Sequence, residues 1–380
     1  MKVLQVTNII SHHQLPVARC IADAVGCVSF RFVATQPASA ERIRLGWAAD
    51  DDTEWILKPF ESKADEAEFR RWWATSDIVL CGNRDLDAFE TRLAAGKLVC
   101  YMSERWWKPP IGMARLFHPR FFAMALRFRA MAKSPALHLL AAGPDAASDI
   151  RRLTPLRERV WHWGYFPPGS AGKRLPRRDA DPFSVLWAGR MLPWKRVDTL
   201  IRAFTLLEET RPGPRLTLVG HGPEEGALRR LVVDCGLGER VTFLPSASAP
   251  GVRTLMRNAD VYVLPSNAAE GWGAVVNEAM SEGCAVVASE VAGAAKSLIR
   301  NGENGRTFRV GDWRELGSIL RLLRSDTKQR ERIAEAGRRT ISDVWSPRVA
   351  ADRFLSVSEA LLTNRMVPEF GSGPMSRLGV

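Results

Sequence analysis

Two glutamates, Glu270 and Glu278, bracket Gly271-Trp272-Gly273-Ala274-Val275-Val276-Asn277, and no other stretch of the chain says as much about chemistry. Carboxylates at this spacing can hold hydroxyl groups, and the two glycines let backbone come close to a ligand. The stretch follows an apolar run, Val261-Tyr262-Val263-Leu264, that reads as a buried strand; Pro265-Ser266-Asn267-Ala268-Ala269 does not extend it. A helical pattern then runs through Met280 to Gly283, followed by a further strand, Ala285-Val286-Val287-Ala288-Ser289. One carboxylate is therefore expected on a loop at the carboxyl end of a strand, the other on the first turns of the next helix. In an open parallel sheet that edge is where ligands bind, and amides at a helix start suit a phosphate. Sugar and ribose are the natural guests.

The elements that position these residues alternate along the chain. In the first half, strands are predicted at Val3–Val6, Val28–Val33, Ile78–Cys81, Leu98–Met102 and Leu137–Ala141. In the second half they fall at Phe183–Ala188, Arg215–Val219, Val241–Leu244, Val261–Leu264 and Ala285–Ser289, separated by helical periods such as Val197, Leu200, Ile201, Phe204 and Leu207. This is an α/β pattern, doubly wound in the second half. The expected organisation is a first Rossmann-like domain over residues 1–166, a Pro-, Gly- and charge-rich linker over 167–182, and a second domain over 183–345. A helix over 346–362 is expected to pack back toward the first domain, and the tail 363–380 to be mobile.

Composition narrows the class. A chain of 380 residues calls for two cores, and 46% hydrophobic with 25% charged residues is a soluble globular balance. No run approaches the ~20 apolar residues that span a bilayer. The start, Met1-Lys2-Val3-Leu4-Gln5-Val6-Thr7, reads as a strand without a signal-peptide pattern. Six scattered cysteines point to free thiols in a reducing cytoplasm. The net charge of +12 suits an anionic partner: nucleic acid, a membrane surface or an anionic substrate.

Six ordered motifs carry a resemblance. They are Trp187-Ala188-Gly189-Arg190 with Lys195; Leu218-Val219-Gly220-His221-Gly222-Pro223; Val241-Thr242-Phe243-Leu244; Leu264-Pro265-Ser266; Glu270 with Glu278; and Asn301-Gly302-Glu303-Asn304-Gly305. Together, over roughly residues 183–310, they resemble the nucleotide-sugar-binding half of the family 4 glycosyltransferases. The resemblance implies the GT-B fold, two Rossmann-like domains facing each other across a crevice. It also implies that Arg190 and Lys195 hold the leaving diphosphate, that Glu278 binds the ribose and that Glu270 lies by the donor sugar. Backbone of Gly271, Trp272, Gly273 and Ala274 would contact sugar and phosphate. Trp272 would either stack on the sugar or simply pack. Gly220 is expected in a crevice loop or merely in a tight turn, with His221 at the surface. Phe243 and Leu244 would line a nucleobase pocket or the core.

The acceptor side rests on less specific signals. Thr7-Asn8-Ile9-Ile10-Ser11-His12-His13-Gln14-Leu15-Pro16 resembles a stretch in relatives that act on polysaccharide precursors, pointing to His13 and Gln14; the alternative is a helix cap at Ser11. Tyr101-Met102-Ser103-Glu104-Arg105 and Trp161-His162-Trp163-Gly164-Tyr165 resemble a polysaccharide-assembling subgroup. Ser103 and Glu104 stand where many members place a histidine, so Glu104 is expected either to serve the acceptor or to form a salt bridge with Arg105 or another arginine. Residues 105–133 mix Trp106, Trp107, Phe117, Phe121, Phe122 and Phe128 with basic residues. That mixture suits an anionic bilayer or, alternatively, a helix packed on its own domain; no RNA-binding motif accompanies it. Asp50-Asp51-Asp52 and Asp85-Leu86-Asp87 read as solvated turns, and neither a metal nor a cofactor beyond the donor is expected.

The expected protein is a cytoplasmic glycosyltransferase, peripheral on the inner face of the membrane. It would carry a sugar from a nucleoside diphosphate to a glycan or lipid-linked hydroxyl with retained configuration. Two alternatives stand beside it. A nucleotide-sugar epimerase or related oxidoreductase would need no acceptor, and the Gly-x-Gly-x-x-Gly turn of dehydrogenases is absent after the first strand. A non-catalytic nucleotide- or membrane-binding protein would show no donor turnover.

Overall fold

The computed structural model describes residues 1–47, 51, 53–82, 86–170, 172, 181–208 and 213–378. The chain divides into two units: Met1–Pro168 with Val344–Val380, and Gly169–Asp343.

The first unit is built on a seven-stranded parallel sheet: β1 Val3–Thr7, β2 Phe30–Ala34, β3 Ile56–Leu57, β4 Ile78–Cys81, β5 Leu98–Ser103, β6 Leu137–Ala142 and β7 Val160–Trp163. The spatial order is β3-β2-β1-β4-β5-β6-β7, so the winding reverses between β1 and β4. Most of these strands are buried on both faces, which is why they read as continuous apolar runs. Leu4, Val6, Val79, Val99 and Tyr101 enter one core with Phe89, Trp106, Phe121 and Phe128. The sequence-based start of β2 at Val28 is too early, because Cys27–Ser29 form a 3-10 turn. The two-residue β3 and the polar-interrupted β7 are not marked by any apolar run.

The second unit holds a six-stranded parallel sheet: β8 Ser184–Ala188, β9 Arg215–Val219, β10 Val241–Leu244, β11 Val261–Leu264, β12 Ala285–Ser289 and β13 Arg306–Phe308. Its order, β10-β9-β8-β11-β12-β13, reverses between β8 and β11. The helix Val197–Phe204 turns Val197, Leu200, Ile201 and Phe204 into the core formed with Val185, Trp187, Leu216 and Val263. Leu207 lies beyond this helix but is buried in the same core.

The helix Pro347–Leu362 is capped by Ser346 and packs on Leu15–Val25, inside the first unit. The following tail differs from the mobile segment that its weak periodicity suggests. Met375 and Ser376 are buried. The His162 amide donates to the Ser376 carbonyl, and the Met375 amide to the His162 carbonyl, each at 2.8 Å. The physical reason lies in the sheet rather than in the tail: β7 is an edge strand whose free backbone groups accept a partner. The Arg377 guanidinium also lies over the Trp161 ring at 3.8 Å.

Of the predicted linker, residues 171 and 173–180 lie outside the described residues, as do Asp50, Asp52 and Asp85. At its start, Ser170 donates to Glu282 (2.7 Å) and the Gly169 carbonyl accepts from Arg253 (2.9 Å).

Candidate functional site

In the second unit the residues singled out by sequence gather where the winding reverses, at the carboxyl ends of β8 and β11. Two glycine turns set the frame. Gly220, after β9, has φ +130°, and a Cβ there would collide with the Gly189 carbonyl oxygen after β8. The Gly189 amide donates to Val219 (3.0 Å), that of Gly220 to Leu244 (3.0 Å), and that of Met191 to His221 (2.8 Å). The loops after β8, β9 and β10 are thus tied backbone to backbone, which is a structural reason for Gly220. Arg190 projects from this frame into solvent, with no ion-pair partner among the described residues.

Lys195 lies on a short 3-10 turn, Pro193–Lys195, ahead of the helix Val197–Phe204. Its Nζ donates to Glu270 Oε2 at 2.5 Å, with side-chain exposures of 19% and 12% that leave this pair largely shielded from water. Between them, the Asn267 amide donates to the Trp194 carbonyl (2.8 Å). Gly273 adopts φ +87°, and a Cβ there would meet Leu264 Cδ2 at 2.9 Å and Glu270 Cγ at 3.6 Å. The glycine therefore lets the loop fold down over Glu270.

Glu278 sits buried in the first turn of the helix Val275–Ser281. Tyr262, on β11, donates its hydroxyl to the Ala188 carbonyl at 3.1 Å. Burial first, and then the charges of Glu278 and Glu270, hold this phenol far above its ordinary titration range. The Tyr262 hydroxyl thus ties β11 to the end of β8. A buried aromatic in a strand gives no sign of that role in sequence.

Burial bears on two readings that the sequence left open. The Trp272 side chain is buried and its indole N–H donates to Asn277 Oδ1 at 2.8 Å, so the ring packs inside the unit. Phe243 and Leu244 are half-buried rather than core, because β10 is an edge strand; the Arg229 guanidinium covers Phe243 at 4.2 Å. Gly271 is buried, its carbonyl accepting from Gly293 (3.2 Å), whereas Ala274 is half-buried. His221 is exposed and meets Ser246. Asn304 bonds Leu298 and Thr340 in the interior, a structural role.

The first unit opens a cavity of about 280 Å³ at its own reversal point, between β1 and β4. Thr7, Asn8, Gln14, Ser103, Glu104 and Tyr165 line it. Glu104 Oε1 accepts from the Tyr165 hydroxyl (3.0 Å) and Oε2 from Lys108 (2.6 Å). Its partner is thus a lysine four residues on in the loop after β5, whereas Arg105 faces Asp145 (3.7 Å) and Asp149 (3.6 Å). Burial and the Glu104 charge push the Tyr165 phenol well up. Gln14 stands at the N-cap position of the helix Leu15–Val25 without a side-chain capping bond, and the Ser11 carbonyl accepts from the amides of Gln14 and Leu15. His13 and Gln14 also line a second, small cavity of about 20 Å³ beside the first.

Across residues 105–133 the aromatic residues separate into two sets. Trp106, Trp107, Phe121 and Phe128 are core, stacked edge to face on one another. Phe117 (88%), Phe122 (50%), Ile111 (61%), Met113 (51%) and Leu126 (51%) remain exposed. Arg127 pairs with Asp87 and Glu90, which the fold brings from another helix. No described helix is long and apolar enough to cross a membrane.

Comparison with known proteins resolves the second unit. The family model of glycosyl transferases group 1 matches residues 173–340. Over this segment the chain is similar to that family. The chain is 34% identical to a D-inositol 3-phosphate glycosyltransferase of Thermomonospora curvata over 48% of this chain and 43% of the relative. It is 31% identical to the lipopolysaccharide core biosynthesis glycosyltransferase LpsE of Rhizobium meliloti over 47% and 50%. It spans about half the length of the curated relatives it matches. Its fold is that of the GT-B glycosyltransferases: HepE of Anabaena, crystallised with UDP, aligns with a TM-score of 0.68 at 18% identity, covering 96% of this chain and 100% of that one.

Proposed function

We propose that this chain transfers a sugar from a nucleoside-diphosphate sugar to a hydroxyl of a glycan or lipid-linked acceptor. The observation that carries the reading is the shielded Lys195–Glu270 pair at the reversal point of a group 1 domain. Leaving diphosphate develops negative charge as the glycosidic bond breaks, and Arg190 and Lys195 offer positive charge there. Glu270, already engaged by Lys195, is a poor nucleophile. The reading is therefore front-side displacement with retained configuration, the departing phosphate assisting deprotonation of the acceptor hydroxyl. Glu278 would hold the ribose. Cations supplied by side chains make transfer independent of added metal, so activity should persist in EDTA. LpsE's role in lipopolysaccharide core biosynthesis supports a cell-surface glycan setting.

Lys195→Ala strands a shielded carboxylate and should lower stability by roughly 1–3 kcal/mol. Lys195→Met keeps the side-chain volume but strands the same carboxylate, so it is compared with Glu270→Gln and with the double variant, in which no shielded carboxylate is left unpaired. A screen of UDP, GDP and their sugars by thermal shift identifies the donor. Lys195→Met should then lose at least about a hundredfold in kcat, as for loss of one transition-state donor, whereas Glu278→Ala, which loses a hold on the ribose, should chiefly raise KM. Near-normal turnover in folded Lys195→Met would sink the assignment.

The second part of the reading is a membrane-facing surface on the first unit. Exposed Ile111, Met113, Phe117, Phe122 and Leu126 alternate with Lys108, Arg115, Arg120 and Lys133. Sedimentation with vesicles containing phosphatidylglycerol should capture the protein, and Phe117→Ser with Phe122→Ser should release it. Equal sedimentation with neutral vesicles, or none with anionic ones, would refute it.

A further inference from the structure

We infer that Gln5 is a specificity-determining residue of the first unit, which reads an uncharged hydroxyl of the acceptor sugar. The inference rests on the glycosyltransferase reading and names what its acceptor pocket takes. Strand alternation turns Leu4 and Val6 into the core and leaves Gln5 and Thr7 on the other face. Gln5 is 4% exposed, and its side-chain Oε1 has no hydrogen-bond partner. A buried amide end without a partner is uncommon and calls for a reason. This one lines the small cavity of about 20 Å³, beside His13 and Gln14. That cavity shares Thr7, Gln14, Gly82 and Met102 with the larger one of about 280 Å³.

The larger cavity sets the chemical class. Its polar lining is hydroxyls, amides and one carboxylate, with no lysine, arginine or histidine among the lining residues. The Glu104 carboxylate has an oxygen held by Tyr165 and one held by Lys108. Such a wall suits a neutral polyhydroxyl ring and offers phosphate or carboxylate no cation beyond the Lys108 that Glu104 already engages. The smaller recess has room for little beyond one oxygen-bearing group, such as a hydroxymethyl arm. A hydroxyl there meets Gln5 whichever way the amide is turned, because it both donates and accepts.

Saturation-transfer NMR with methyl glucosides, galactosides and mannosides tests this without donor, so failure of transfer for another reason leaves the result readable. One glycoside should bind, and its 6-deoxy and 6-phosphate forms should bind roughly five- to tenfold more weakly, the worth of one lost hydrogen bond. Gln5→Leu should cause a similar loss while removing the preference for the 6-hydroxyl. Gln5→Asn, which keeps an amide but shortens its reach, should weaken binding less and serves if the leucine variant does not fold. Unchanged affinity in Gln5→Leu would overturn the inference, as would equal binding of the 6-phosphate or no saturation transfer to any glycoside.

Discussion

Acid should unfasten the first unit before it touches the second, and the size of the effect follows from two histidines. His138 on β6 and His162 on β7 are 4% and 8% exposed. Burial first, with Arg159 and Arg377 adding to it at His138, holds each imidazole down at about 4 against an ordinary 6.5. Trp161 donates its indole N–H to His138 Nδ1 at 3.1 Å, a bond that a protonated ring cannot accept. Both rings are neutral in the folded chain and charged when unfolded below pH 6.5. The unfolded state then binds more protons, so stability is full above pH 6.5 and falls as pH drops toward 4. Between those limits two protons are linked to unfolding, giving a slope of about 2.7 kcal/mol per pH unit. From pH 7 to pH 5 the loss is roughly 4 kcal/mol, a large part of the ~5–15 kcal/mol of a typical domain. Carboxylates held below their ordinary range, such as Glu335 at about 2, act mainly below pH 5 and do not mask it. Hydrogen exchange of β6 and β7 in graded urea at pH 7, 6 and 5 measures the slope locally. His162→Phe should retain contact with Trp345 and halve that slope. A flat profile in the parent, or an unchanged slope in the variant, would refute the reasoning.

Two further outcomes concern backbone. Gly220→Ala places a Cβ against the Gly189 carbonyl at φ +130°. It should cost about 2–5 kcal/mol by urea denaturation and weaken nucleotide binding by displacing Arg190. Wild-type values for both would contradict the close approach of the two loops. Arg196 holds a left-handed conformation (φ +49°), with its guanidinium on Asp198 at 3.0 and 3.1 Å. Relief of that conformation should let Arg196→Gly gain roughly 0.5–1 kcal/mol despite the lost half-exposed pair; a net loss would show the ion pair to be the stronger term.

The legible part of this molecule was the part in which function and folding demand different residues at neighbouring positions. A parallel strand buried on both faces shows itself as an apolar run, and the charged or glycine residues directly after it mark the sheet edge where chemistry sits. That is how Arg190, Lys195, Glu270 and Gly220 stood out. β3 and β7 did not, because one is two residues long and the other carries His162 inside it.

The tail was unreadable for a related reason. Its order comes from an edge strand more than two hundred residues away, and the bonds it makes are mostly backbone bonds, which leave no side-chain signature. The aromatic stretch 105–133 was ambiguous because a core tryptophan and an exposed phenylalanine are equally hydrophobic in sequence; only burial separates Trp106 from Phe117. Gln5 is the converse case. A polar residue inside a strand reads as a lapse in the apolar pattern, yet an amide end buried with no partner beside a polar cavity is where a protein keeps capacity to bind. An exception to the apolar pattern on an interior strand, next to a reversal point, is thus as informative a place to test for ligand binding as the loops whose residues look chemically able.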